Sequence, residues 1–261
     1  MILALDVGNT NIVLGVMKEG RILFQGRLCT DKSQTEMEYA ILFKNILELH
    51  HISPEMIDGA IISSVVPPVN AILEEAIRFV TGCEAMLVNF KRNTGLTIDI
   101  DTPSQLGNDV IVDAVAALEE YPPPLIIFDL GTATTISVVN EKKVYIGGVI
   151  LPGIKVSQEA LSGRTSQLPS IGLEAPANVI GRNTVDCMKS GMLYGTAAMM
   201  DGMIDRIEEE LGQKATAIAT GGLAWFVAEH CKRPIICDDD LLLKGLWKVY
   251  QNEQKSKIED I

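Results

Sequence analysis

"LALDVGNTNIVLGV" (Leu3–Val16) and "IIFDLGTATTISVV" (Ile126–Val139) are two versions of one pattern. In each, an apolar run ends in an aspartate, a glycine follows two residues later, and small hydroxyl or amide residues lead into a second apolar run. The aspartates, Asp6 and Asp129, are 129 − 6 = 123 residues apart in a chain of 261. Such a length suits two domains of about 130 residues. The repeated pattern therefore predicts an internal duplication in which each half begins with a β-hairpin.

The segments around the two copies repeat the same order of elements. Three β-like runs separated by turn residues predict an antiparallel meander at the head of each half. These runs are Ile2–Asp6, Ile12–Lys18 and Arg21–Leu28, then Leu125–Asp129, Thr134–Val139 and Val144–Val149. Helical spacing and further apolar runs predict alternating helices and strands after each meander. We expect helices at Tyr39–His50, Pro67–Gly82, Gly107–Glu119, Thr184–Leu211, Leu223–His230 and from Leu241, and strands in "GAIISSVVP", "TAIATGG" and "PIIC".

Three prolines in "EEYPPPL" (Glu119–Leu125) mark the predicted boundary between the halves, because proline stops a helix. We therefore expect an α/β protein of two duplicated domains, residues 1–119 and residues 120–261, each with one hairpin. Duplicated domains imply an active site in the cleft between them.

The composition fits a globular protein that binds small molecules. A net charge of −12 and the lack of a Lys and Arg cluster argue against nucleic acid, since neutralising its phosphates needs clustered basic residues. No apolar run reaches the roughly 20 residues of a membrane span, and the amino terminus lacks the basic region of a signal peptide. Five cysteines without a CxxC pair indicate free thiols. We therefore expect a cytoplasmic protein without a membrane or nucleic-acid partner.

Each hairpin tip carries groups that suit a phosphate. Glycine permits positive φ and close approach of the backbone, so that successive N–H groups can point at phosphate oxygens, and small side chains add donors. These residues are Gly8, Asn9, Thr10 and Asn11 in the first copy and Gly131, Thr132, Ala133, Thr134 and Thr135 in the second. Carboxylates at the ends of apolar strands, as at Asp6 and Asp129, are costly unless they are paired or bind a cation. One Asp-x-Gly is typical of an ordinary turn, but two copies heading two similar halves favour a clamp that holds ATP.

Six motifs, in one order, carry a resemblance to a known family. They are "DVGNT" near the amino terminus, "ISSVVPP" (Ile62–Pro68), "DLGTATT" (Asp129–Thr135), "GGVILPG" (Gly147–Gly153), "GRNT" (Gly181–Thr184) and "TGG" (Thr220–Gly222). The duplicated hairpins resemble those of the actin-like ATPase and sugar-kinase superfamily, and the whole chain resembles the type III pantothenate kinases. The resemblance implies two actin-like, ribonuclease-H-like domains and ATP-dependent phosphorylation of the 4′-hydroxyl of pantothenate, the first step of coenzyme A synthesis. It also implies a magnesium ion, a monovalent cation such as potassium or ammonium, and a homodimer.

The same resemblance assigns roles to individual residues. It implies that ATP is bound by Asp6, Val7, Gly8, Asn9, Thr10, Asn11, Thr132, Gly221 and Gly222, with Asp6 close to the magnesium and the last two glycines near the adenosine. It implies that Asp129 binds the monovalent cation and that Asp109 is the catalytic base. Pantothenate would be bound by Ile100, by the loop of Gly107, Asn108, Asp109 and Val110, and by Thr184 of the neighbouring subunit.

Asp109 also has an interpretation that is independent of the family. A carboxylate in "QLGND", after a flexible glycine and at the start of a helix, can orient a hydroxyl and accept its proton. The same position suits a helix N-cap for the segment from Val110. The residues alone do not choose between a catalytic base and a cap.

The predicted substrate loop departs from the family pattern at two positions. The family reads Gly-x-Asp-Arg where this chain reads "GNDV", so Val110 replaces an arginine, and Ile100 replaces an aromatic residue, usually tyrosine. These changes remove a charged bidentate donor and an aromatic ring with a hydroxyl. Three interpretations stay open: weak binding of pantothenate, a different hydroxyl substrate, or a nucleotide-binding paralogue that acts as a regulator. Arg92 in "FKRNTG" is a candidate replacement for the missing charge.

Overall fold

A computed structural model describes residues 1–259 of the chain. Residues that pack together form two compact units. The first consists of Met1–Leu96, Asp101–Glu119 and the segment from Asp240 onward, and the second consists of Thr97–Ile100 and Glu120–Asp239. Each unit contains one β-sheet. Within residues 1–259, no helix combines the length and the apolar character that a membrane span requires.

The first unit is built on a five-stranded sheet. Its strands are β1 (Ile2–Val7), β2 (Asn11–Lys18), β3 (Arg21–Cys29), β4 (Gly59–Ser64) and β5 (Ala85–Leu87), in the order β3-β2-β1-β4-β5. β1, β2 and β3 form the predicted antiparallel meander, and β4 and β5 continue the sheet in parallel with β1. The helices of this part of the chain are α1 (Glu36–Leu49), α2 (Pro67–Thr81) and α3 (Asn108–Glu120).

Local sequence signals explain where α1 and α2 begin and end. Thr35 and Glu38 form a capping box at the start of α1, in which each side chain accepts the backbone N–H of the other residue. α2 begins with Pro67, at a position where a backbone N–H would have no helical partner. It ends at Gly82, whose φ of 74° is the left-handed conformation that closes many helices.

The second unit is built on a six-stranded sheet. Its strands are β6 (Thr97–Ile98), β7 (Leu125–Leu130), β8 (Ala133–Val139), β9 (Val144–Pro152), β10 (Thr216–Thr220) and β11 (Ile236–Cys237), in the order β11-β10-β7-β8-β9-β6. Its helices are α4 (Ile154–Arg164), α5 (Thr184–Leu211) and α6 (Ala224–Ala228). β7, β8 and β9 are antiparallel neighbours, whereas β10 and β11 run parallel to β7.

The two sheets repeat one topology. The series β3-β2-β1-β4-β5 and β9-β8-β7-β10-β11 agree in every strand direction, and β6 is an addition at the edge of the second sheet. β1 and β7 also share one burial pattern, in which five of six residues are buried and only the aspartate, Asp6 or Asp129, is partly exposed. The predicted duplication is therefore confirmed, and the two carboxylates occupy equivalent positions.

The last helix, α7 (Leu241–Glu259), packs with the first unit, whereas the linear division of the sequence assigns it to the second. Glycines in the first sheet make room for its side chains. A Cβ at Gly15 would lie 2.7 Å from the Leu243 side chain, and a Cβ at Gly59 would overlap the Tyr250 hydroxyl. The sequence conceals this arrangement because nothing in a linear pattern reveals that the chain returns to its first sheet.

Among the α-helices and strands of residues 1–259, three are absent from the sequence prediction: β5, β6 and α4. β5 has three residues and β6 has two, so neither is long enough for an alternating pattern to be recognised. α4 buries only Ile154 among its eleven residues, and it therefore lacks the apolar stripe that identifies an amphipathic helix. The other helices and strands lie within a few residues of their predicted positions.

Candidate active site

The tip of the first hairpin is held by hydrogen bonds from within its own unit. The three-residue loop that joins β1 to β2 begins at Gly8, whose N–H donates to the Asn11 carbonyl at 3.0 Å. Thr30 follows β3 and donates its N–H to the Thr10 carbonyl at 3.0 Å and its hydroxyl to the Gly8 carbonyl at 2.6 Å. The loop side chains at Asn9 and Thr10 are nevertheless exposed. The hairpin therefore presents two polar residues from an ordered backbone.

The hairpin glycines differ in why glycine suits them. Neither Gly8 nor Gly131 has a positive φ, so neither tip uses the left-handed conformation that glycine permits. At Gly8 the requirement is close approach, because a Cβ there would lie only 3.2 Å from the Asn11 carbonyl oxygen. At Gly131 the nearest atom to such a Cβ would be at 3.5 Å, which is ordinary contact.

Asp6 receives a hydrogen bond from the neighbouring parallel strand. In the register of β1 and β4, Asp6 lies opposite Ser63. Ser63 is fully buried, and its Oγ donates to Oδ1 of Asp6 at 3.0 Å. The carboxylate is thereby held at the base of the hairpin. Such an oxygen ligand fits magnesium, which proteins usually bind through one or two carboxylates together with substrate phosphates.

Asp109 is the second residue of α3 and does not precede it as an N-cap would. Its Oδ1 accepts the Val110 N–H at 2.8 Å. Burial raises the pKa of the Asp109 carboxyl, and hydrogen bonds from the backbone N–H groups of Val110 and Asp109 itself oppose that rise. Gly107 provides space, since a Cβ there would overlap Oδ1. A partly buried carboxylate with a raised pKa is better matched to accepting a proton near neutral pH than an ordinary aspartate.

The start of α3 is tied to the end of β4. The side-chain amide of Asn108 donates to the Ser64 carbonyl at 3.0 Å, and Ser64 directly follows the serine that contacts Asp6. The structure therefore brings the first hairpin and the Asp109 loop together at one end of one strand in the first unit. Asn108, which the resemblance places in contact with substrate, uses its amide for this internal bond.

The second hairpin is tighter than the first and packs against a glycine loop. Two residues join β7 to β8, and the Gly131 N–H donates to the Ala133 carbonyl at 3.1 Å. The loop after β10 contains Gly221, which has a φ of +90°. A Cβ at Gly221 would lie 2.5 Å from Oδ1 of Asp129 and 2.9 Å from the Leu130 backbone. Only glycine fits there, so the structure brings "DLGTATT" and "TGG" together around Asp129, an oxygen ligand suited to a hard cation.

Two residues of the predicted substrate site lie in the second unit, whereas the loop around Asp109 belongs to the first. Ile100 is partly buried after β6, and Thr184 is the exposed first residue of α5. The preceding Asn183 caps that helix by accepting the Asp186 N–H at 2.9 Å. Within residues 1–259, no hydrogen bond joins Thr184 to the hairpin of its own unit.

Arg92 already has partners within the first unit. Its Nε donates to the Leu87 carbonyl at 2.6 Å, and its Nη1 contacts the Glu253 carboxylate of α7 at 2.8 Å. The guanidinium therefore stabilises the contact between α7 and the loop after β5. These bonds give Arg92 a structural role instead of the substrate-binding role suggested by its charge.

Sequence reasoning missed the contribution of Ser63. The motif "ISSVVPP" carries part of the family resemblance, but it reads only as a buried strand. The available signal was a polar pair at the end of an apolar run, because a buried hydroxyl needs a hydrogen-bond partner. Its partner could not be identified without the register of β4 against β1.

Comparisons with known proteins identify the family and the fold. A family model described as type III pantothenate kinase matches residues 2–206. A curated type III pantothenate kinase from Bacillus cytotoxicus is 45% identical over 251 residues, which are 96% of each chain. Two solved structures share the fold at low identity. Component A of (R)-2-hydroxyglutaryl-CoA dehydratase from Acidaminococcus fermentans has a TM-score of 0.57 and 14% identity, with 98% of each chain covered. Ethanolamine utilization protein EutJ from Carboxydothermus hydrogenoformans has a TM-score of 0.53 and 16% identity, with 95% of this chain and 88% of that one covered.

Proposed function

The chain belongs to the type III pantothenate kinase family, and we propose that it transfers the γ-phosphoryl group of ATP to the 4′-hydroxyl of pantothenate, the first step of coenzyme A synthesis. A bond forms between the hydroxyl oxygen and the γ-phosphorus, the bond between that phosphorus and the β–γ bridging oxygen breaks, and ADP leaves. The hydroxyl proton passes to the Asp109 carboxylate. The observation that carries the proposal is the setting of Asp109, whose pKa burial raises and whose loop is tied to the strand that holds Asp6.

The nucleotide is bound by residues of both hairpins and of the glycine loop after β10. These are Asp6, Val7, Gly8, Asn9, Thr10, Asn11, Thr132, Gly221 and Gly222. The Gly8 N–H closes its own turn, and the side chains of Asn9 and Thr10 are exposed at the tip, where phosphate oxygens can approach them. Magnesium, held by Asp6 and the phosphates, supplies charge neutralisation. Phosphoryl transfer depends mainly on such positioning and neutralisation.

Asp129 is the proposed ligand of a monovalent cation, potassium or ammonium. Its carboxylate lies at the partly exposed end of an otherwise buried strand, where a carboxylate needs a partner or a cation. Gly221 supports the assignment, because any larger residue would occupy the space beside Oδ1.

Pantothenate is bound by Ile100, the loop from Gly107 to Val110, and Thr184. Val110 lacks the charge of the usual arginine, and Ile100 lacks the hydroxyl of the usual tyrosine. We therefore expect fewer polar contacts with pantothenate and a lower affinity for it. The 45% identity to a curated pantothenate kinase and the two complete hairpins do not favour a different substrate or a regulatory protein without transfer activity.

The active form is a cytoplasmic homodimer in which Thr184 reaches the partner's substrate. Two features of the second unit support a second copy. The outer face of α5 carries Gly191, Gly195 and Gly202, and a Cβ on any of them would meet no atom within 4 Å. Close by in the sequence, Ile180 is 83% exposed. Small residues permit close helix approach, and exposed apolar side chains mark interaction surfaces.

The proposal is tested by measuring ADP release with ATP, magnesium and potassium, with and without pantothenate. We expect pantothenate-dependent release by the parent chain and a loss of at least a hundredfold in Asp109→Asn, because a positioned base contributes about 10²–10⁴ to the rate. Val110→Arg is expected to lower the KM for pantothenate, since it adds a donor to the loop.

Nucleotide binding provides the control for these variants. Asp109→Asn is nearly isosteric, so it is expected to bind ADP as tightly as the parent chain. Pantothenate-independent ADP release, or full activity in Asp109→Asn, would contradict the proposed reaction. Activity in Val110→Arg but not in the parent chain would favour the regulatory alternative.

A further inference from the structure

β4 supplies the first hairpin with a buried hydroxyl. Ser63 is 0% exposed, lies opposite Asp6 in the strand register, and donates its Oγ proton to Oδ1 of Asp6 at 3.0 Å. We propose that Ser63 is a positioning residue, which sets the orientation of the Asp6 carboxylate toward the magnesium nucleotide. This inference rests on the nucleotide-binding role proposed for the first hairpin.

The physical reason is the freedom of a carboxylate at the end of a strand. The terminal torsion of aspartate has broad minima, so an unrestrained Asp6 would present its oxygens in many orientations. A hydroxyl fixed on a buried strand restricts that freedom, and hydrogen bonds to an ionised acceptor are stronger than those between neutral groups. A ligand then binds a group that is already ordered, and the binding free energy is not reduced by the loss of its motion.

The burial of Ser63 supports a specific role for its hydroxyl. The preceding residues of β4, Ala60, Ile61 and Ile62, are apolar and fully buried, and an apolar side chain at position 63 would extend that core. A buried hydroxyl is costly without a partner. Its partner here is Asp6. The hydrogen bond to that carboxylate therefore explains a serine at position 63 better than apolar packing does.

The second unit repeats the placement of a buried hydroxyl residue opposite the hairpin aspartate. Thr220 lies opposite Asp129 in the register of β10 and β7, and it is 4% exposed. Each hairpin aspartate therefore faces a buried hydroxyl residue on the adjacent parallel strand. One such pair is compatible with chance, whereas its recurrence at equivalent positions of two sheets points to a requirement of the carboxylate.

Isothermal titration calorimetry with ADP, in magnesium and in EDTA, tests the inference. We expect Ser63→Ala to weaken binding of magnesium ADP about tenfold, the effect of losing one hydrogen bond to a charged group, and to leave binding in EDTA unchanged. In an Asp6→Asn background, Ser63→Ala is expected to cause no further loss. Ser63→Thr keeps a hydroxyl at this position, as Thr220 does in the second unit, and is expected to bind magnesium ADP like the parent chain.

Ser137→Ala is the matched control, because Ser137 is a strand serine of the second unit with 4% exposure and lies outside the proposed site. It is expected to bind ADP like the parent chain under both conditions. Equal losses in magnesium and EDTA, or a full further loss in the Asp6→Asn background, would overturn the role of Ser63. Failure of the proposed reaction is seen separately, as absent pantothenate-dependent turnover in the parent chain, while the binding cycle still decides the role of Ser63.

Discussion

The two hairpins start from one sequence pattern and form different loops. The first has three residues between its strands and the second has two. The Gly8 N–H reaches an acceptor three residues on, whereas the Gly131 N–H reaches one two residues on. The aspartate and the hydroxyl residue opposite it nevertheless stay in equivalent positions. The aspartate and the hydroxyl residue opposite it are therefore the part of the duplication that both units retain, and the tip is a part that varies.

The residue after the hydroxyl separates the two units further. In the first, Ser64 follows Ser63, and its carbonyl accepts the Asn108 amide at 3.0 Å. In the second, Gly221 follows Thr220 and packs directly on Asp129. One strand end thus anchors the helix that carries the proposed base, and the other leaves space beside a carboxylate. The residue at this position therefore contributes its backbone carbonyl in the first unit and its small size in the second.

The largest expected effect is a loss of stability when alanine replaces Gly221, and the same change at Gly8 provides the comparison. Gly221→Ala would place a Cβ against Asp129 in a left-handed backbone, and we expect it to lower the free energy of unfolding by about 2–4 kcal/mol. Gly8→Ala meets only the Asn11 carbonyl, at 3.2 Å, and is expected to cost less than about 1 kcal/mol. Urea denaturation measures both, and similar losses would contradict the contrast between the two loops.

A smaller effect is expected in the pH dependence of activity, which depends on Asp109 of the first unit. Asp109 must be ionised to act as a base, so kcat/KM for pantothenate should rise with pH and level off above the pKa of Asp109. Because burial raises that pKa, the acid limb should lie above that of an ordinary aspartate. An acid limb in the ordinary aspartate range would argue against the buried base.

The same raised pKa has a consequence for stability, whose sign is opposite to that of a salt-bridged carboxylate. Folding disfavours the ionised form of Asp109, so the group lowers stability most above its folded pKa, and this penalty declines as the pH falls from that value to the pKa of the unfolded chain. Asp109→Asn should therefore melt at a higher temperature than the parent chain at pH 8, with a difference that shrinks toward pH 4. Thermal denaturation across this range measures the difference.

The smallest effect is expected at the anchor of α3. Asn108→Ala removes the bond to the Ser64 carbonyl and should lower kcat about fivefold, the equivalent of about 1 kcal/mol, without changing the affinity for ADP. Asn252→Ala is the matched control, because the Asn252 amide donates to the Thr94 carbonyl at 2.9 Å outside the proposed site. A loss of ADP affinity in Asn108→Ala, or an equal loss of kcat in Asn252→Ala, would contradict an anchoring role.

Much of the fold could be predicted because its signals are local. The prolines that begin α2 and the alternation of apolar runs around Asp6 and Asp129 depend on neighbouring residues alone. The site is different, since its contacts join distant segments. The pairing of Asp6 with Ser63 depends on strand register, and the need for glycine at position 221 depends on a backbone conformation and on a carboxylate 92 residues earlier (221 − 129 = 92). Periodicity does not report either of these.

The position of α7 has a consequence for the order in which the protein is made. α7 follows both sheets in the sequence, although the two glycines that it covers, Gly15 and Gly59, lie in strands of the first sheet. The second unit ends at Asp239, so the ribosome has completed all of its residues before it begins α7. During translation the second unit can therefore form its contacts before α7 packs against the first sheet.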